Sequence, residues 1–240
     1  MPGPVKVQGV ILRSLRYGEA DRILHLYTPQ RGKVGAIAKG VRRSRSRFGG
    51  RMEPFFRLNL VLHEGRSELL TVTAAETVAG YPRLREHAEA LDTAARACDA
   101  VSRLFDTSEP HPGVYNLLCN ELALLDSDPA RAGHANQLAF RLKLLLAAGL
   151  APQLAACASC GEREHLSGFS GAAGGVVCPA CEAGSFPLAA DAHAFLVDAI
   201  GRPLAETPAA DERTLRQAER AIADTLEHHA GIRWRQAAAR

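Results

Sequence analysis

The first 80 residues alternate short segments rich in branched and aromatic residues with turns built from glycine and proline. In one segment every second residue from 56 to 62 is Phe or Leu, the period of a strand with one buried face. The pattern predicts five strands, at residues 7–15, 23–27, 33–38, 55–62 and 69–74. Five short strands in about 75 residues favour a small closed barrel, of which the five-stranded oligonucleotide-binding barrel (OB-fold) is the commonest. The strand count alone leaves the topology open.

After Pro82 the apolar residues recur every three or four positions, which is typical of helices. The pattern predicts one helix ending near 107, a second starting at Pro112, and others at 133–148, 191–200 and 209–229. Gly149 and Gly231 follow two of these helices as expected C-terminal caps. We expect an α+β chain with three domains: an OB-fold at 1–80, an α-helical bundle at 81–150 and 187–240, and an inserted cysteine-rich segment at 151–186.

Charge is unevenly distributed along the chain. The net charge is only +3, but residues 1–80 contain 14 Lys and Arg against six Asp and Glu, a balance of +8. The remaining residues balance at −5. Such asymmetry predicts a basic module with a polyanionic partner joined to an acidic body.

Composition excludes several classes of protein. With 47% hydrophobic and 23% charged residues, the chain is neither disordered nor fibrous. No apolar run reaches the roughly 18 residues that a membrane span needs. The first residues lack the apolar core of a signal peptide. We therefore expect a cytoplasmic protein.

The positive charge is concentrated between residues 31 and 57, which contain nine basic residues and one acidic residue, Glu53. Its central part alternates Arg with Ser and Gly, which disfavours helix and strand but suits a loop that follows phosphates. The alternative is a solvated loop or a disordered arm. Three aromatic residues, Tyr17, Tyr27 and Phe48, could stack on bases or fill the core. The predicted DNA-binding residues are Lys33, Lys39, Arg42, Arg43, Arg45, Arg47 and Arg51.

Two C-x-x-C pairs, separated by 17 residues, predict a metal site. Their spacing matches a four-cysteine zinc site, and four thiolates would close the coordination shell around one structural ion. The alternatives are two disulfides or a redox pair, while His165 could replace one cysteine as a ligand. Cys98 and Cys119 fall on apolar helix faces and are expected to be core thiols. The predicted ligands are Cys157, Cys160, Cys178 and Cys181.

The sequence contains no phosphate-binding G-x-x-x-x-G-K-[ST] loop, no G-x-S-x-G motif and no H-E-x-x-H motif. This favours a binding protein over an enzyme.

Taken together, these features resemble the RecO family of bacterial recombination mediators. In the barrel the resemblance rests on 17–19 (Tyr-Gly-Glu) with Asp21, Thr28 with Gly32, 38–42 (Ala-Lys-Gly-Val-Arg) with Ser46, and 53–55 (Glu-Pro-Phe). In the cysteine segment it rests on Cys157, Cys160, Gly168, Phe169, Gly174, Gly175, Cys178 and Cys181. The order of these motifs covers nearly the whole chain.

The resemblance implies a nucleoid-associated protein of DNA repair and homologous recombination, without catalytic activity. Such a protein binds single- and double-stranded DNA and anneals complementary strands. With RecR, it promotes RecA loading onto DNA coated by single-stranded-DNA-binding protein (SSB), whose acidic C-terminal tail it also contacts. The resemblance implies that Lys39, Arg42 and Arg43 contact DNA. Two alternatives remain: a zinc-ribbon protein that binds RNA or acts in transcription, and a barrel whose charge serves an acidic protein partner.

Overall fold

A computed structural model describes residues 3–65 and 68–233 of the chain. It divides the chain into two compact units, residues 1–131 and 132–240. The first unit holds the strands of a barrel and three helices, and the second holds three helices and a small sheet. The three-domain division expected from the sequence stays a prediction, and its last residues, 234–240, lie outside the described part.

The first unit contains a closed barrel with the strand order β1-β2-β3-β5-β4. Strands β3 and β5 pair in parallel, and the other neighbouring strands are antiparallel. All five predicted strands are confirmed, and the alternating pattern of β4 places Leu58, Leu60 and Leu62 inside. The predicted fourth strand starts too early, because Phe55 has a left-handed backbone with φ of 74°. The strands are β1 (Val5–Tyr17), β2 (Asp21–Thr28), β3 (Gly32–Ala38), β4 (Arg57–His63) and β5 (Leu70–Ala79).

The 13-residue strand β1 pairs with two different strands of the barrel. Its first half pairs with β4, and its second half pairs with β2. The register with β2 shifts between Ile11 and Arg13, an irregularity that is typical of a β-bulge. The long strand therefore joins β2 and β4 in the closed barrel.

The segment between β3 and β4, residues 39–56, is a folded cap of the barrel, which we call the basic loop. Three of its side chains, Val41, Phe48 and Met52, pack into the same apolar cluster as the inward residues of the strands. Phe48 and Met52 are each only 1% exposed. The alternative of a disordered arm is therefore excluded, because these three side chains anchor the loop.

Three helices complete the first unit: α1 (Pro82–Glu86), α2 (Ala88–Leu104) and α3 (Pro112–Ser127). The short α1 was not predicted from the sequence. Cys98 on α2 and Cys119 on α3 are buried, which confirms them as core thiols. Burial raises the pKa of both thiols, so neither is a ready nucleophile.

The second unit is built on α4 (His134–Ala147), α5 (Ala190–Gly201) and α6 (Glu212–Ala230), which pack against one another. The carboxylate of Asp211 accepts a hydrogen bond from the Thr214 N–H at 2.8 Å and caps the start of α6. Gly231, with φ of 63°, ends α6 as predicted.

The cysteine-rich segment between α4 and α5 carries a three-stranded sheet in the order β7-β6-β8. Its strands are β6 (Gly168–Ser170), β7 (Gly175–Val177) and β8 (Phe186–Pro187). Across the described residues, no helix has the length and apolar character needed to cross a membrane.

Candidate functional site

Five cations of the basic loop point into solvent. The side chains are exposed, and none of the acidic side chains that the structure describes forms an ion pair with them. The guanidinium of Arg47 lies over the ring of Phe48, 4.8 Å from its centroid. Because unpaired surface cations are not neutralised within the protein, they are available to phosphates. These five residues are Lys39, Arg42, Arg43, Arg45 and Arg47.

Hydrogen bonds tie the start of the basic loop to the turn between β1 and β2. The Gly40 N–H donates to the Asp21 carboxylate at 2.8 Å, and the Arg42 N–H donates to the Ala20 carbonyl at 2.9 Å. Gly40 has φ of 68°, a left-handed conformation that glycine adopts without cost from a Cβ atom. Two of the residues that carry the resemblance, Asp21 and Gly40, are therefore in direct contact.

The end of the basic loop is also held. The Ser14 hydroxyl donates to the Met52 carbonyl at 2.6 Å, and Arg22 pairs with Glu53 at 2.5 Å. The one acidic residue of the basic segment is therefore engaged by a strand residue and does not neutralise the exposed cations.

Two of the seven predicted DNA-binding residues are engaged elsewhere. The Lys33 ammonium donates to the Ser102 carbonyl at 2.9 Å, and the Arg51 guanidinium donates to the Ala75 carbonyl at 3.1 Å. Both side chains are partly buried. The structure thus brings five of the seven predicted residues together on an exposed surface, and their contact with DNA stays a prediction.

Of the three aromatic residues considered for stacking, only Tyr17 is exposed, at 54%. Tyr27 and Phe48 are buried, so of the two roles left open for these rings, stacking on bases or filling the core, the structure supports core filling. Tyr17 pairs with Asp21 across β1 and β2, which places it beside the start of the basic loop. Leu15 lies two residues earlier on the same face and is 49% exposed.

Arg85 is a structural residue of this region that the sequence did not reveal. Its guanidinium lies 4.5 Å from the centroid of the Phe56 ring and 5.6 Å from that of Phe55. It also donates to the Pro54 carbonyl at 2.6 Å. Arg85 therefore holds the last residues of the basic loop, including those of the Glu-Pro-Phe motif.

A cavity of about 530 Å³ lies over β1, β4 and β5. Its charged lining residues are one cation, Lys6, and one acid, Glu76, so it adds no positive charge to the surface of the basic loop. The amide of Gln8 donates to Asn59 at 3.0 Å along the same wall.

The four predicted metal ligands converge. Their sulfur atoms lie within 4.8 Å of one another, and the Cys160 and Cys178 sulfurs are 3.7 Å apart. Four sulfurs about 2.3 Å from a tetrahedral zinc ion would lie about 3.8 Å apart, so the cluster has the dimensions of such a site. His165 is exposed and is not part of the cluster. The four residues can hold a metal ion.

Backbone geometry prepares the cysteines for a cation. Hydrogen bonds from the backbone amides of Cys178, Cys160 and Ser159 lower the pKa of Cys157 to about 6. The hydrogen bond shared with Cys160 contributes most to raising the pKa of Cys181, to about 12. A divalent ion bound between the four sulfurs would favour ionisation of all four thiols. Gly161, directly after the first pair, has φ of 81°, a left-handed conformation that suits a tight turn.

The cysteine-rich segment is fixed to α6 through the turn between β6 and β7. The Gly171 N–H donates to the Asp224 carboxylate at 2.6 Å, and the His229 Nε2–H donates to the Gly171 carbonyl at 2.8 Å. The guanidinium of Arg220 lies 4.0 Å from the centroid of the Phe186 ring. The segment that carries the cysteine cluster is therefore built into the second unit and is not a loosely attached module.

Comparison with known proteins defines the class of this barrel and cysteine cluster. Residues 1–81 match the family described as "Recombination protein O N terminal", and residues 85–237 match "Recombination protein O C terminal". The chain is thus a recombination protein with an N-terminal OB-fold.

Curated relatives give the same result. The chain is 39% identical over 243 residues to the DNA repair protein RecO of Anaeromyxobacter dehalogenans (strain 2CP-C), covering 95% of this chain and 92% of the relative. It is 39% identical over 232 residues to the DNA repair protein RecO of Rubrobacter xylanophilus, covering 93% and 92%. With that of Bifidobacterium adolescentis the identity is 42% over 181 residues, 72% of each chain. The chain belongs to the RecO family, and its role lies in DNA repair and recombination.

Proposed function

We propose that the protein binds single- and double-stranded DNA through the basic loop. The observation that carries this proposal is the folded cap with five exposed cations that no described acidic side chain pairs with. Because the cap is anchored by Phe48 and Met52, the backbone that carries the cations is already ordered before binding, which lowers the ordering cost. Contacts to phosphates carry no direct sequence information, so binding is independent of sequence.

The same surface supports annealing of complementary strands. Two strands repel each other through their phosphates, and cations between them screen this repulsion, so base pairing begins without ATP. Tyr17, beside the start of the loop, offers an exposed ring on which an unpaired base can stack. The protein then acts as a binding protein, without a catalytic step of its own.

The proposed partners follow from the family. With RecR, the protein promotes RecA loading onto single strands coated by SSB, whose C-terminal tail is a further partner. Residues 81–240 balance at −5, which makes them a poor DNA surface and favours protein contacts there. These partners place the protein in the cytoplasm, at the nucleoid.

We further propose that the four cysteines hold one structural zinc ion. Four sulfur donors within 4.8 Å of one another suit zinc, and a closed shell of four thiolates leaves no position for an activated water. Metal analysis of protein purified without chelator should find one zinc per chain. Much less than one would refute the site.

An annealing assay tests the DNA proposal against the RNA-binding alternative. Complementary DNA oligonucleotides and RNA oligonucleotides of the same sequence are mixed with the protein in separate reactions. We expect the protein to accelerate pairing of the DNA strands without ATP. Acceleration with RNA alone would favour the zinc-ribbon RNA-binding protein, and no acceleration with either would contradict annealing.

A further inference from the structure

The carboxylate of Asp21 lies at the root of the basic loop, where its charge opposes the binding of phosphates. It accepts a hydrogen bond from Gly40, which is adjacent to Lys39 and two residues before Arg42. A negative charge this close to the exposed cations lowers the local positive potential. Electrostatics alone therefore gives no reason for an acidic residue at this position.

The hydrogen-bond geometry supplies a reason. Gly40 is left-handed, with φ of 68°, and its N–H points out of the ladder that β3 would otherwise continue. The Asp21 oxygen satisfies this N–H at 2.8 Å, and the adjacent Ala20 carbonyl satisfies the Arg42 N–H at 2.9 Å. These two bonds set the direction in which the chain leaves the barrel and enters the cationic stretch.

Resting on the proposed function, we infer that Asp21 is a positioning residue for DNA binding: its carboxylate fixes the root of the basic loop and thereby the placement of the loop cations. The buried anchors Phe48 and Met52 lie further along, at least eight residues from Gly40. The stretch that carries Arg42, Arg43 and Arg45 is thus held at its start by the hydrogen bonds to Asp21 and Ala20 and by the buried side chain of Val41.

Two conservative variants separate the effect of the position of the Asp21 side-chain oxygen from the effect of its negative charge. Asp21→Asn removes the charge and keeps an acceptor oxygen in place, whereas Asp21→Glu keeps the charge and displaces the oxygen by one methylene. Glu19→Gln is the matched control, because Glu19 is exposed on the same turn and makes no hydrogen bond or ion pair with the described residues. Binding of a fluorescent oligothymidylate is measured by anisotropy at 50 mM salt, and loop exposure is measured by trypsin cleavage after the loop arginines.

The expected result is that Asp21→Glu weakens binding about fivefold, the effect of losing one hydrogen bond, and speeds cleavage in the loop. Asp21→Asn and Glu19→Gln should both tighten binding about twofold, because each removes one repulsive charge, with cleavage unchanged. If Asp21→Glu binds and is cleaved like the wild type, or if Asp21→Asn weakens binding, the positioning role is overturned. Absence of binding by the wild-type protein would instead refute the proposed function itself.

Discussion

Removing three arginines from the basic loop should change both the strength and the salt dependence of DNA binding. Each phosphate neutralised on a single strand contributes about −0.7 to the slope of log K against log salt. If all five exposed cations contact phosphates, the slope is about −3.5, and affinity falls about a hundredfold between 50 and 200 mM salt. The triple variant Arg42→Ala, Arg43→Ala, Arg45→Ala leaves two contacts. Its slope should be about −1.4, a loss of only about sevenfold over the same range.

The assay is a titration of fluorescent single-stranded oligonucleotides of several sequences at four salt concentrations. A matched control removes three cations that are paired with Asp92, Asp99 and Asp128 in the first unit: Arg96→Ala, Arg103→Ala, Arg131→Ala. The control carries the same change in net charge and should keep the wild-type slope. An unchanged slope in the folded loop variant, or an equal reduction in the control, would show that the basic loop is not the DNA surface.

Three further predictions concern stability. Removing the metal with a chelator should loosen residues 151–186, seen as faster hydrogen exchange there, without loss of DNA binding; loss of binding would contradict a purely structural ion. Phe48→Ala should lower the free energy of unfolding by about 3–5 kcal/mol in denaturant titrations, whereas Phe48→Leu should lower it much less. Equal effects of the two substitutions would mean that the ring does not pack in the barrel core. Gly175→Ala should destabilise the second unit, because a Cβ atom there would collide with the Gln153 backbone. In the control Gly201→Ala the added Cβ atom meets open space and should be tolerated, and thermal melts that rank the two variants otherwise would be inconsistent with this packing.

Much of the fold could be predicted from the sequence, because the strands of the barrel and the long helices have strong periodicity. Leu58, Leu60 and Leu62 identify one buried face of β4, and Gly231 marks the end of α6. The elements that escaped prediction are short: α1 has five residues, and β6 and β7 have three each. Segments this short contain too few residues to display a period, and they form because tertiary contacts stabilise them.

The candidate site was predictable in its residue types but not in its contacts. The metal ligands follow from local spacing, since each C-x-x-C pair forms one turn. Lys33 and Arg51 donate hydrogen bonds to the carbonyls of Ser102 and Ala75. These acceptors are distant in the sequence, so the engagement of the two cations could not be predicted from it. Likewise, the sequence left open whether Phe48 stacks on bases or fills the core, and only the closed barrel shows that it is buried.

The spacing of the buried anchors in the basic loop has a consequence for how relatives of this protein can diverge. Val41, Phe48 and Met52 fix the length of chain that closes the barrel, whereas most of the positions between them, 42–45, 47, 49 and 50, are exposed. Substitutions at these exposed positions can add or remove positive charge while the fold of the barrel stays the same. Affinity for a polyanion can therefore differ between species by the contribution of one cation at a time, without any insertion or deletion in the loop.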